Sequence, residues 1–568
     1  MRHFYNDLSI VLGGAAGQGV QTVEAILMAV LKREGYQVFA CKEYMSRVRG
    51  GSNSTEVRLS SKKHRSYVRR IDFLFAMDGN VVAHLSDRMS DKTIVFGERE
   101  RIKESPDLPH FVDTPMTKFA NEVGNPIFAN TVAVGVILGI LGAEETVFHA
   151  YLREFFARKG EEVVEKNIEA AKKGFRFGKN IAYQEDIEIG LPRDEKYTKE
   201  LLIDGHTALG LGAIAGGCDF ISSYPMSPGT GVLTFLAEKG GEFGVVVDQA
   251  EDEISAINMA LGASYAGARA MVSTSGGGFD LMQEGMSLAG IIETPIVVHI
   301  GMRPGPATGL PTKTEQADLN LALYAGHGEF PRAIYAPGTP EEGIAMMSRA
   351  FDTADRYQIP VFMLSDQYFL DSLSGISESS IALSRPKKHI VETGADYARY
   401  RLTKDGISPR GIPGWGQGIV KVDSDEHDET GHITESYEIR EKMMEKRMKR
   451  LSAMAKDAVM PTEMDNYADA EIAVVSWGSN RSVLDESLGA VRSKKLGGLH
   501  FAQVYPINPK VKDLLKGKKI IVVENNHRGQ FADLLVRELG VKISKRILKS
   551  TGEPFAVEEL VDTFKQYA

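Results

Sequence analysis

Three acidic residues at the start of a predicted helix are the clearest candidates for chemistry. Glu251, Asp252 and Glu253 precede the apolar segment 254–263. The helix dipole alone favours acids in a first turn, which accounts for about two of the three. The apolar continuation predicts a buried helix, and a buried carboxylate is costly unless it has a function. We therefore expect at least one of these carboxylates to act on a ligand.

Two further segments follow predicted strands and carry polar side chains. One is the turn Tyr224-Pro-Met-Ser-Pro-Gly-Thr230, in which two prolines fix a rigid conformation around Ser227. The other contains Arg303 beside a stretch rich in glycine and proline, where a guanidinium suits bidentate capture of a carboxylate. Open α/β sheets bind ligands at the carboxyl ends of their strands. The hydroxyls of Ser227 and Thr230 are therefore predicted to meet a polar ligand, whereas His299 is interpreted as a satisfied core histidine.

Glycines between the first predicted strand and helix could bind an anion through backbone N–H groups. The run Gly13-Gly-Ala-Ala-Gly-Gln-Gly19 does not match the dinucleotide fingerprint, because Thr22 stands where the third glycine or an alanine is required. Arg47 and Arg49 add two guanidinium groups near this region. A tight turn without a ligand explains the glycines equally well, so both interpretations stay open. The run Thr274-Ser-Gly-Gly-Gly278 lacks the lysine of a P-loop, which excludes that class.

These segments belong to an alternation of strands and helices that predicts an α/β fold with several doubly wound domains. The first βαβ unit, 8–40, predicts a parallel sheet. Residues 386–464 are expected to form a solvated arm between the second and the last α/β domain. Strands are predicted at 8–12, 37–40, 56–59, 73–76, 220–223, 245–247, 270–273, 296–300, 333–335, 360–364, 471–476 and 519–523. Helices are predicted at 20–33, 131–141, 208–215, 438–456 and 530–539.

Composition excludes several classes of protein. The 568 residues carry a net charge of −9, which argues against a nucleic-acid-binding protein with a basic face. The longest apolar run, 131–143, is shorter than the roughly 20 residues of a membrane helix. The two cysteines, Cys41 and Cys218, cannot hold an iron–sulfur cluster or a cysteine-rich zinc site by themselves. So few cysteines and no visible signal peptide lead us to expect a cytoplasmic protein.

In this order the segments resemble one family, the 2-oxoacid:ferredoxin oxidoreductases in which a gamma-type domain precedes an alpha-type domain. Residues 1–190 are similar to the gamma-type domain, residues 195–385 to the alpha-type, pyrimidine-binding half of a thiamine diphosphate enzyme, and residues 465–568 to a transketolase C-terminal domain. The gamma-type marks are Gly14-x-x-Gly17-Gln18-Gly19 and Arg49-Gly-Gly51-Ser52. The alpha-type marks are Tyr224-Pro-Met-Ser-Pro228, Glu251-x-Glu253-x-x-Ala256-Ile-Asn, Arg303-x-Gly-Pro306-x-Thr-Gly309-x-Pro-Thr312, Glu315-Gln316-x-Asp318-Leu and His327-Gly-Glu329.

The resemblance implies oxidative decarboxylation of a 2-oxo acid with coenzyme A (CoA), giving acyl-CoA, CO₂ and reduced ferredoxin, in a reversible reaction. Glu253, nine residues before Gly262 as in the family, would bind the pyrimidine ring nitrogen of thiamine diphosphate and promote its imino form. Ser227 stands where the family carries threonine and would bind a substrate oxygen, and Arg303 would pair with the substrate carboxylate. Met226 and Gly229 also depart from the family's turn. The remaining implied contacts are Thr230 for the substrate, Tyr224 and Pro225 for the cofactor, and Gly17, Gln18, Gly19 and Arg49 for CoA.

Parts of the family's site are missing from this sequence. The Mg²⁺–diphosphate half normally uses Gly-Asp-Gly followed by Asn-Asn, but Asn525-Asn526 stands here without Gly-Asp-Gly and is interpreted as chance. No metal site is therefore expected on this chain. The resemblance implies a beta subunit that supplies the Mg²⁺–diphosphate site and a [4Fe-4S] cluster, ferredoxin as electron acceptor, and an α₂β₂ assembly. No nucleic acid or membrane partner is expected.

Other functions remain to be compared with this one. A transketolase-like enzyme without ferredoxin fits the Arg303–Thr312 segment and the gamma-type fusion less well. A non-catalytic subunit that binds CoA or a nucleotide would have no need of a buried Glu253, and a nicotinamide dehydrogenase lacks its fingerprint. Among 2-oxo acids, 2-oxoglutarate is favoured, with a pyruvate-type or broad-specificity enzyme as the alternative.

Overall fold

The computed structural model describes residues 2–45, 50–102, 110–381, 383 and 385–568. Its contacts divide the chain into two compact units. The first comprises Met1–Ile203, Ser372–Glu378 and Ala556–Glu558, and the second comprises Asp204–Asp371, Ser379–Phe555 and Glu559–Ala568. The predicted contacts of Arg47 and Arg49 lie outside the described residues. The finer division at 1–190, 195–385, 386–464 and 465–568 stays a prediction.

The strands confirm the predicted α/β class and most of the predicted strand positions. They are β1 (Arg2–Phe4), β2 (Asp7–Ala16), β3 (Gln37–Glu43), β4 (Gly50–Ser60), β5 (Phe73–Ala76), β6 (Ile94–Gly97), β7 (Phe111–Asp113), β8 (Ile187–Ile189), β9 (Leu201–Ile203), β10 (Phe220–Ser223), β11 (Val246–Gln249), β12 (Ala270–Ser275), β13 (Ile296–Met302), β14 (Ala333–Tyr335), β15 (Pro360–Asp366), β16 (Leu373–Ile376), β17 (Thr462–Asp465), β18 (Ile472–Trp477), β19 (Leu496–Phe501), β20 (Gln503–Tyr505), β21 (Lys519–Glu524) and β22 (Ile543–Leu548).

The α-helices alternate with these strands along most of the chain. They are α1 (Val20–Arg33), α2 (Gly79–His84), α3 (Met116–Glu122), α4 (Ala129–Ile140), α5 (Glu145–Phe156), α6 (Glu161–Gln184), α7 (Glu195–Thr198), α8 (Gly205–Ala215), α9 (Thr230–Lys239), α10 (Glu253–Tyr265), α11 (Gly276–Asp280), α12 (Gln283–Ile291), α13 (Leu319–Leu323), α14 (Pro340–Tyr357), α15 (Gln367–Asp371), α16 (Tyr437–Asp457), α17 (Asn480–Val491), α18 (Val511–Leu515), α19 (Gln530–Leu539) and α20 (Val557–Lys565). In the described part of the chain, no helix combines the length and the apolar character needed to cross a membrane.

The main sheet of the first unit is mixed, which corrects the expectation of a parallel sheet. Its order is β7-β6-β5-β2-β4-β3-β16-β9. Strands β2, β5, β6 and β7 are parallel, but β4 runs antiparallel to β2 and to β3 and separates them. The helical connection from β2 to β3 therefore skips one position, which the β3–β4 hairpin fills. Apolar patterning marks a strand but carries no information on the direction of its neighbour.

The buried helix α4 packs directly on α6 through glycines. A Cβ atom at Gly135 or Gly139 would lie within 2.6 Å of backbone oxygens of α6, and one at Gly174 or Gly178 would lie 2.2 Å from backbone oxygens of α4. Two backbones can approach this closely only where no side chain intervenes. The apolar character of α4 on all sides follows, because α6 covers the face that would otherwise be solvated.

The second unit contains a doubly wound sheet in the order β11-β10-β12-β13-β15-β14-β20. All neighbours are parallel except β20, which is antiparallel to β14. The chain goes from β10 outwards to β11 and then returns to the other side of β10 as β12. The order of the strands thus reverses between β10 and β12, and such a switch point is where open α/β sheets bind ligands.

The second unit also holds a five-stranded sheet, in the order β17-β19-β18-β21-β22. Helix α16, predicted to be part of a solvated arm, instead buries one face that includes three cations. Lys446 Nζ lies 2.7 Å from Glu293, Arg447 pairs with Glu426 at 2.7 Å, and Arg450 donates to the carbonyl of Tyr357 at 2.7 Å. The prediction was wrong because charged side chains can be buried when they are paired: Glu293 and Tyr357 are buried, and Glu426 is half-buried.

Candidate active site at the strand switch point

The three acids before α10 occupy three different environments. Asp252 is the N-cap, and its side chain accepts a hydrogen bond from the Ser255 amide at 2.7 Å. Glu251 is exposed, whereas Glu253 is only 3% exposed. Glu253 Oε1 has no hydrogen-bond partner among the described residues, and burial raises the pKa of its carboxyl group. Burial and an unpartnered Oε1 atom therefore distinguish Glu253 from the capping residue Asp252 and from the exposed Glu251.

Glycines after β12 make room for acidic side chains. A Cβ atom at Gly278 would lie 2.4 Å from Glu253 Oε1 and 2.1 Å from Thr274 Oγ1. A Cβ atom at Gly276 would lie 2.4 Å from Asp318 Oδ2, while one at Gly277 would have no neighbour closer than 3.7 Å. The segment therefore requires glycine at 276 and 278, where two carboxyl groups approach its backbone from different positions.

The turn after β10 rests on the ends of β12 and β13. A Cβ atom at Gly229 would lie 2.5 Å from the carbonyl oxygen of Thr274, and one at Gly301 would lie 2.9 Å from the amide nitrogen of Gly229. Ser273 Oγ donates a hydrogen bond to the carbonyl of Gly229 at 2.7 Å. These contacts fix the position of the turn, which contains four of the predicted contacts: Tyr224, Pro225, Ser227 and Thr230.

His299 contacts this turn through Ser273, and both of its ring nitrogens already have hydrogen-bond partners in the protein. Its Nδ1 lies 2.8 Å from Ser273 Oγ and its Nε2 lies 2.7 Å from Ser365 Oγ. The ring is fully buried, and burial lowers its pKa to about 3. The interpretation of His299 as a satisfied core histidine is confirmed.

Arg303 and Ser227 are brought together at this edge. Arg303 Nη1 donates to the carbonyl oxygen of Ser227 at 2.6 Å, and the Ser227 residue itself is exposed. Arg303 Nε is buried without a partner in the described part of the chain. Burial lowers the pKa of the guanidinium, and the nearby Asp318 opposes that shift. Thr230 is the first residue of α9 and is half-buried, as is Pro225, while Tyr224 is 39% exposed.

Asp318 belongs to a segment that marks the family resemblance, but the sequence predicted no contact or catalytic role for it. Its Oδ2 atom is buried and lacks a partner among the residues that the structure describes. Burial, reinforced by Glu315, raises the pKa of its carboxyl group to about 7, while Arg303 acts in the opposite direction. The sequence signal was two acids, Glu315 and Asp318, directly after a segment of glycines and prolines. Nothing in that pattern placed Asp318 against Gly276.

Five of the unpartnered buried polar atoms among the described residues lie at the carboxyl ends of β12 and β13 and the elements beside them. Buried polar groups in proteins are normally hydrogen-bonded, so a group of exceptions requires an explanation such as a missing ligand. The set contains acceptors, hydroxyls and a guanidinium N–H, which fits a ring with amino and ring-nitrogen groups together with a carboxylate. The atoms, all within the described residues, are Glu253 Oε1, Thr274 Oγ1, Ser275 Oγ, Arg303 Nε and Asp318 Oδ2.

Two marks of the resemblance lie beside a different cavity of the second unit. His327 and Glu329 line a space of about 480 Å³ along α10 and α12. Its lining includes Ile254 but neither Glu253 nor Arg303. The cavity is therefore separate from the atoms gathered around the glycine segment.

The predicted anion-binding glycines lie in the first unit. Gly17 and Gln18 line a cavity of about 230 Å³ together with Arg101, Thr117 and Asn130. Gly17 and Gly19 have positive φ angles of 91° and 82°, and a Cβ atom at Gly19 would collide with Asn130. In the described part of the chain, no group of three or more His, Cys, Asp or Glu residues could hold a metal ion.

Two family models match the chain. The model described as "Pyruvate flavodoxin/ferredoxin oxidoreductase, thiamine diP-bdg" matches residues 211–446, which include every residue of the site at the switch point. The model described as "Pyruvate ferredoxin/flavodoxin oxidoreductase" matches residues 9–177, which include the glycine turn of the first unit. The chain thus carries a thiamine-diphosphate-binding domain of this type.

Relatives extend the similarity over nearly the whole chain. The alpha subunit of 2-oxoacid:ferredoxin oxidoreductase from Sulfolobus sp is 30% identical, over 97% of this chain and 96% of its own length. The 2-oxoglutarate oxidoreductase subunit KorA from Mycobacterium tuberculosis is 31% identical, over 76% of this chain and 67% of its own length. The solved 2-oxoglutarate:ferredoxin oxidoreductase from Magnetococcus marinus, with 2-oxoglutarate, coenzyme A and succinyl-CoA bound, superimposes with a TM-score of 0.92. Its identity is 30%, and the match covers 99% of both chains.

Proposed function

We propose that the substrate of this chain is 2-oxoglutarate. The chain belongs to the 2-oxoacid:ferredoxin oxidoreductase family, as an alpha subunit with a fused gamma-type domain. The reaction would be CoA-dependent oxidative decarboxylation to succinyl-CoA and CO₂, with two electrons passed to ferredoxin. The observation that carries this proposal is the group of unpartnered polar atoms at the carboxyl ends of β12 and β13 and the elements beside them, which includes a buried acid and an arginine. The choice of 2-oxoglutarate is supported by the ligands of the Magnetococcus marinus protein.

Glu253 is the residue that would hold the pyrimidine ring of thiamine diphosphate. Its unpartnered Oε1, beside Gly278, is an acceptor in a place where a ring edge can approach. The cofactor, when bound, supplies the electron sink for decarboxylation. A carboxyl group whose pKa is raised by burial can share a proton with a ring nitrogen near neutral pH. Tyr224 and Pro225 would border the ring from the turn after β10.

Arg303 would bind the carboxylate that the substrate loses as CO₂. The guanidinium is already held by the carbonyl of Ser227, and its Nε is free to donate among the described residues. A charge-assisted hydrogen bond from this nitrogen would orient the 2-oxo acid with its carbonyl towards Ser227 and Thr230. Because Ser227 carries its hydroxyl on an exposed residue of a fixed turn, it can reach a substrate oxygen without rearrangement.

Gly17, Gln18 and Gly19 would contribute to CoA binding from the first unit. The left-handed conformation of Gly17 and Gly19 turns backbone N–H groups outward at the start of α1. Arg101, paired with Glu98 at 2.7 Å, lines the same cavity of about 230 Å³ and could exchange this partner for an anionic ligand. CoA is anionic, and N–H groups with an arginine are suitable partners for its phosphates. Arg49, outside the described residues, stays in this set as a prediction.

A beta subunit would complete the enzyme, in an α₂β₂ assembly in the cytoplasm. Cys41 and Cys218 are the only cysteines in the sequence, both are buried, and they are far apart along the chain. Two isolated buried cysteines do not ligate a [4Fe-4S] cluster, so the cluster and the Mg²⁺–diphosphate site are assigned to the partner. Free cysteines fit a reducing compartment. Ferredoxin would then receive its electrons from the partner subunit.

The alternative substrate is pyruvate or a range of 2-oxo acids. The name of the Sulfolobus sp relative specifies only a 2-oxoacid, and the family models carry pyruvate in their descriptions. The similarity to the Sulfolobus sp subunit covers 97% of the chain, against 99% for the 2-oxoglutarate enzyme. Relative rates with 2-oxoglutarate and pyruvate distinguish the two proposals.

The decisive experiment is purification of this chain together with a beta subunit from the same organism, followed by reduction of a low-potential dye. We expect reduction with 2-oxoglutarate only when CoA is present, and a dependence on added thiamine diphosphate after the cofactor has been removed. A pair that reduces dye faster with pyruvate would refute the choice of substrate. A pair with no thiamine dependence would refute the catalytic role and favour a non-catalytic subunit.

A further inference from the structure

Asp318 lies at the candidate site but has no role in the function proposed above. Its carboxyl group fills the space that a side chain of Gly276 would occupy, and its Oδ2 has no hydrogen-bond partner in the described part of the chain. Gly276 directly follows β12, whose Ser275 pairs with Gly301 of β13. Arg303 leaves the sheet two residues after Gly301. The carboxyl of Asp318 and the guanidinium of Arg303 thus lie at neighbouring strand ends.

Gln316 fixes the backbone that carries Asp318. Its side chain is fully buried, donates from Nε2 to the carbonyl of Trp477 at 2.8 Å, and accepts from Asn480 Nδ2 at 2.9 Å and from the Asn525 amide at 3.0 Å. A side chain with three such bonds has little freedom to move. The position of Asp318, two residues further on, is therefore set by the five-stranded sheet.

Asn525 and Asn526 also hold Gln316 in position through hydrogen bonds to its backbone. The carbonyl of Asn525 accepts from the amide of Gln316 at 2.7 Å, and Asn526 Nδ2 donates to the carbonyl of Gln316 at 3.2 Å. The pair was interpreted above as a chance match to a diphosphate-binding motif. Its contacts with Gln316 support the loop that ends at Asp318, and this structural role is compatible with that interpretation.

The charged groups around Asp318 have opposing effects. Arg303 stabilises its ionised form, while burial and the neighbouring Glu315 destabilise it. Burial raises the pKa of Glu315, and the nearby His527 opposes that shift. Helix α19 presents an amide rather than a charge, since Gln530 Nε2 donates to the carbonyl of Ala317 at 2.7 Å. With a pKa raised to about 7, the Asp318 carboxyl is distributed between its two forms near neutral pH.

We propose that Asp318 controls the charge of the subsite for the substrate carboxylate and thereby sets the pH dependence of substrate affinity. This inference rests on the proposed function, because it assumes that Arg303 binds the carboxylate of a 2-oxo acid. With Asp318 uncharged, Arg303 attracts the anionic substrate and Asp318 can donate a hydrogen bond to it. With Asp318 ionised, its charge repels the substrate carboxylate and partly neutralises Arg303.

The proposal predicts a pH dependence of substrate binding with a defined sign. As the pH rises through about 7, Asp318 ionises and the affinity for a carboxylate falls. Two like charges near a protein surface repel each other enough to weaken binding by about tenfold or more. The substrate, when bound, favours the protonated form of Asp318. An amide at this position cannot ionise, and it keeps the size and the hydrogen-bonding capacity of the uncharged acid.

The test compares the wild-type complex of alpha and beta subunits with Asp318→Asn. The probe is glutarate, a dicarboxylate without the 2-oxo group, and its inhibition constant against 2-oxoglutarate is measured between about pH 6 and about pH 8.5. We expect this constant to rise by about tenfold in the wild type and by less than about twofold in the variant. Asp396→Asn is the control, since the side chain of Asp396 is 91% exposed and should leave the wild-type profile unchanged.

The outcomes separate this inference from the function on which it rests. If the wild-type complex oxidises 2-oxoglutarate and Asp318→Asn shows the same rise as the wild type, the role of Asp318 is wrong and the function stands. A wild-type constant that does not change with pH also overturns the role. If the wild type has no thiamine-dependent activity, the proposed function itself fails. Thermal unfolding of the variant establishes that the fold is retained.

Discussion

Replacing Glu253 with glutamine changes one proton-binding group and preserves the size of the side chain. The residue is 3% exposed, and its Oε1 has no partner among the described residues. An amide cannot share a proton with a ring nitrogen as a carboxyl group does. We therefore expect kcat to fall by about 10²–10⁴, the usual contribution of a positioned acid–base group. Gly278 leaves space for the amide, so the loss would not come from a steric clash.

The same substitution is expected to leave the stability of the fold unchanged or to increase it. Burial raises the pKa of Glu253 above its value in the unfolded chain. The cost of ionisation is therefore absent below the unfolded pKa, grows as the pH rises towards the folded pKa, and then stays constant. Glutamine removes this cost at neutral pH. The free energy of unfolding should increase by at most on the order of 1 kcal/mol, the scale of an unsatisfied buried polar group.

The assay pairs dye reduction by the complex with thermal unfolding of the same preparation. Glu251→Gln is the matched control, because Glu251 is an exposed acid two residues away and should keep full activity. Wild-type turnover in Glu253→Gln would refute the assignment of this acid to the cofactor. A parallel loss of activity and melting temperature would refute the argument that the carboxyl group serves function at the expense of stability.

Four further substitutions test the packing and the charges. Gly278→Ala should abolish dye reduction, because its Cβ would lie 2.4 Å from Glu253 Oε1. Gly277→Ala is the control and should retain activity, because its Cβ would have no neighbour closer than 3.7 Å. Equal activity of the two variants would contradict the model of a glycine-dependent pocket. Arg303→Ala should weaken binding of the 2-oxo acid by about 2–5 kcal/mol, read as an increase in KM with an unchanged melting temperature. Glu293→Ala should lower the free energy of unfolding by about 3–5 kcal/mol in urea, because it leaves Lys446 buried without its counter-charge; a loss below about 1 kcal/mol would contradict this.

Some elements could be predicted from the sequence because local signals marked both of their ends. Helix α1 begins and ends at the predicted residues, since glycines lie on either side of an apolar helical pattern. Strand β10 is also placed correctly, because a turn with two prolines follows it directly. A buried acid was also predicted among Glu251, Asp252 and Glu253, because an apolar helical segment follows them directly. An N-cap and a solvated residue account for the other two, so burial distinguishes Glu253.

Other features depend on contacts between residues distant in sequence, and local patterns carry no information about these. The insertion of β4 between β2 and β3 is one case, since any apolar strand can pair in either direction. The burial of Lys446 is another, because it depends on Glu293, which precedes it by 153 residues. Asp318 was missed for the same reason. Its environment is created by Gly276 and by the sheet that holds Gln316, and neither is adjacent to it in the chain.

The five-stranded sheet has a direct effect on the candidate site even though none of the five unpartnered atoms described at the site lies on it. The loop from Arg303 to Asp318 carries one reactive group at each end and is rich in glycine and proline. Strand β13 holds its first end. Its second end has no sheet of its own, and Asn525 and Asn526, directly after β21, hold it through Gln316. A loop fixed at both ends holds Arg303 Nε and Asp318 Oδ2 without hydrogen-bond partners among the described residues, so both atoms remain available for the binding of a ligand.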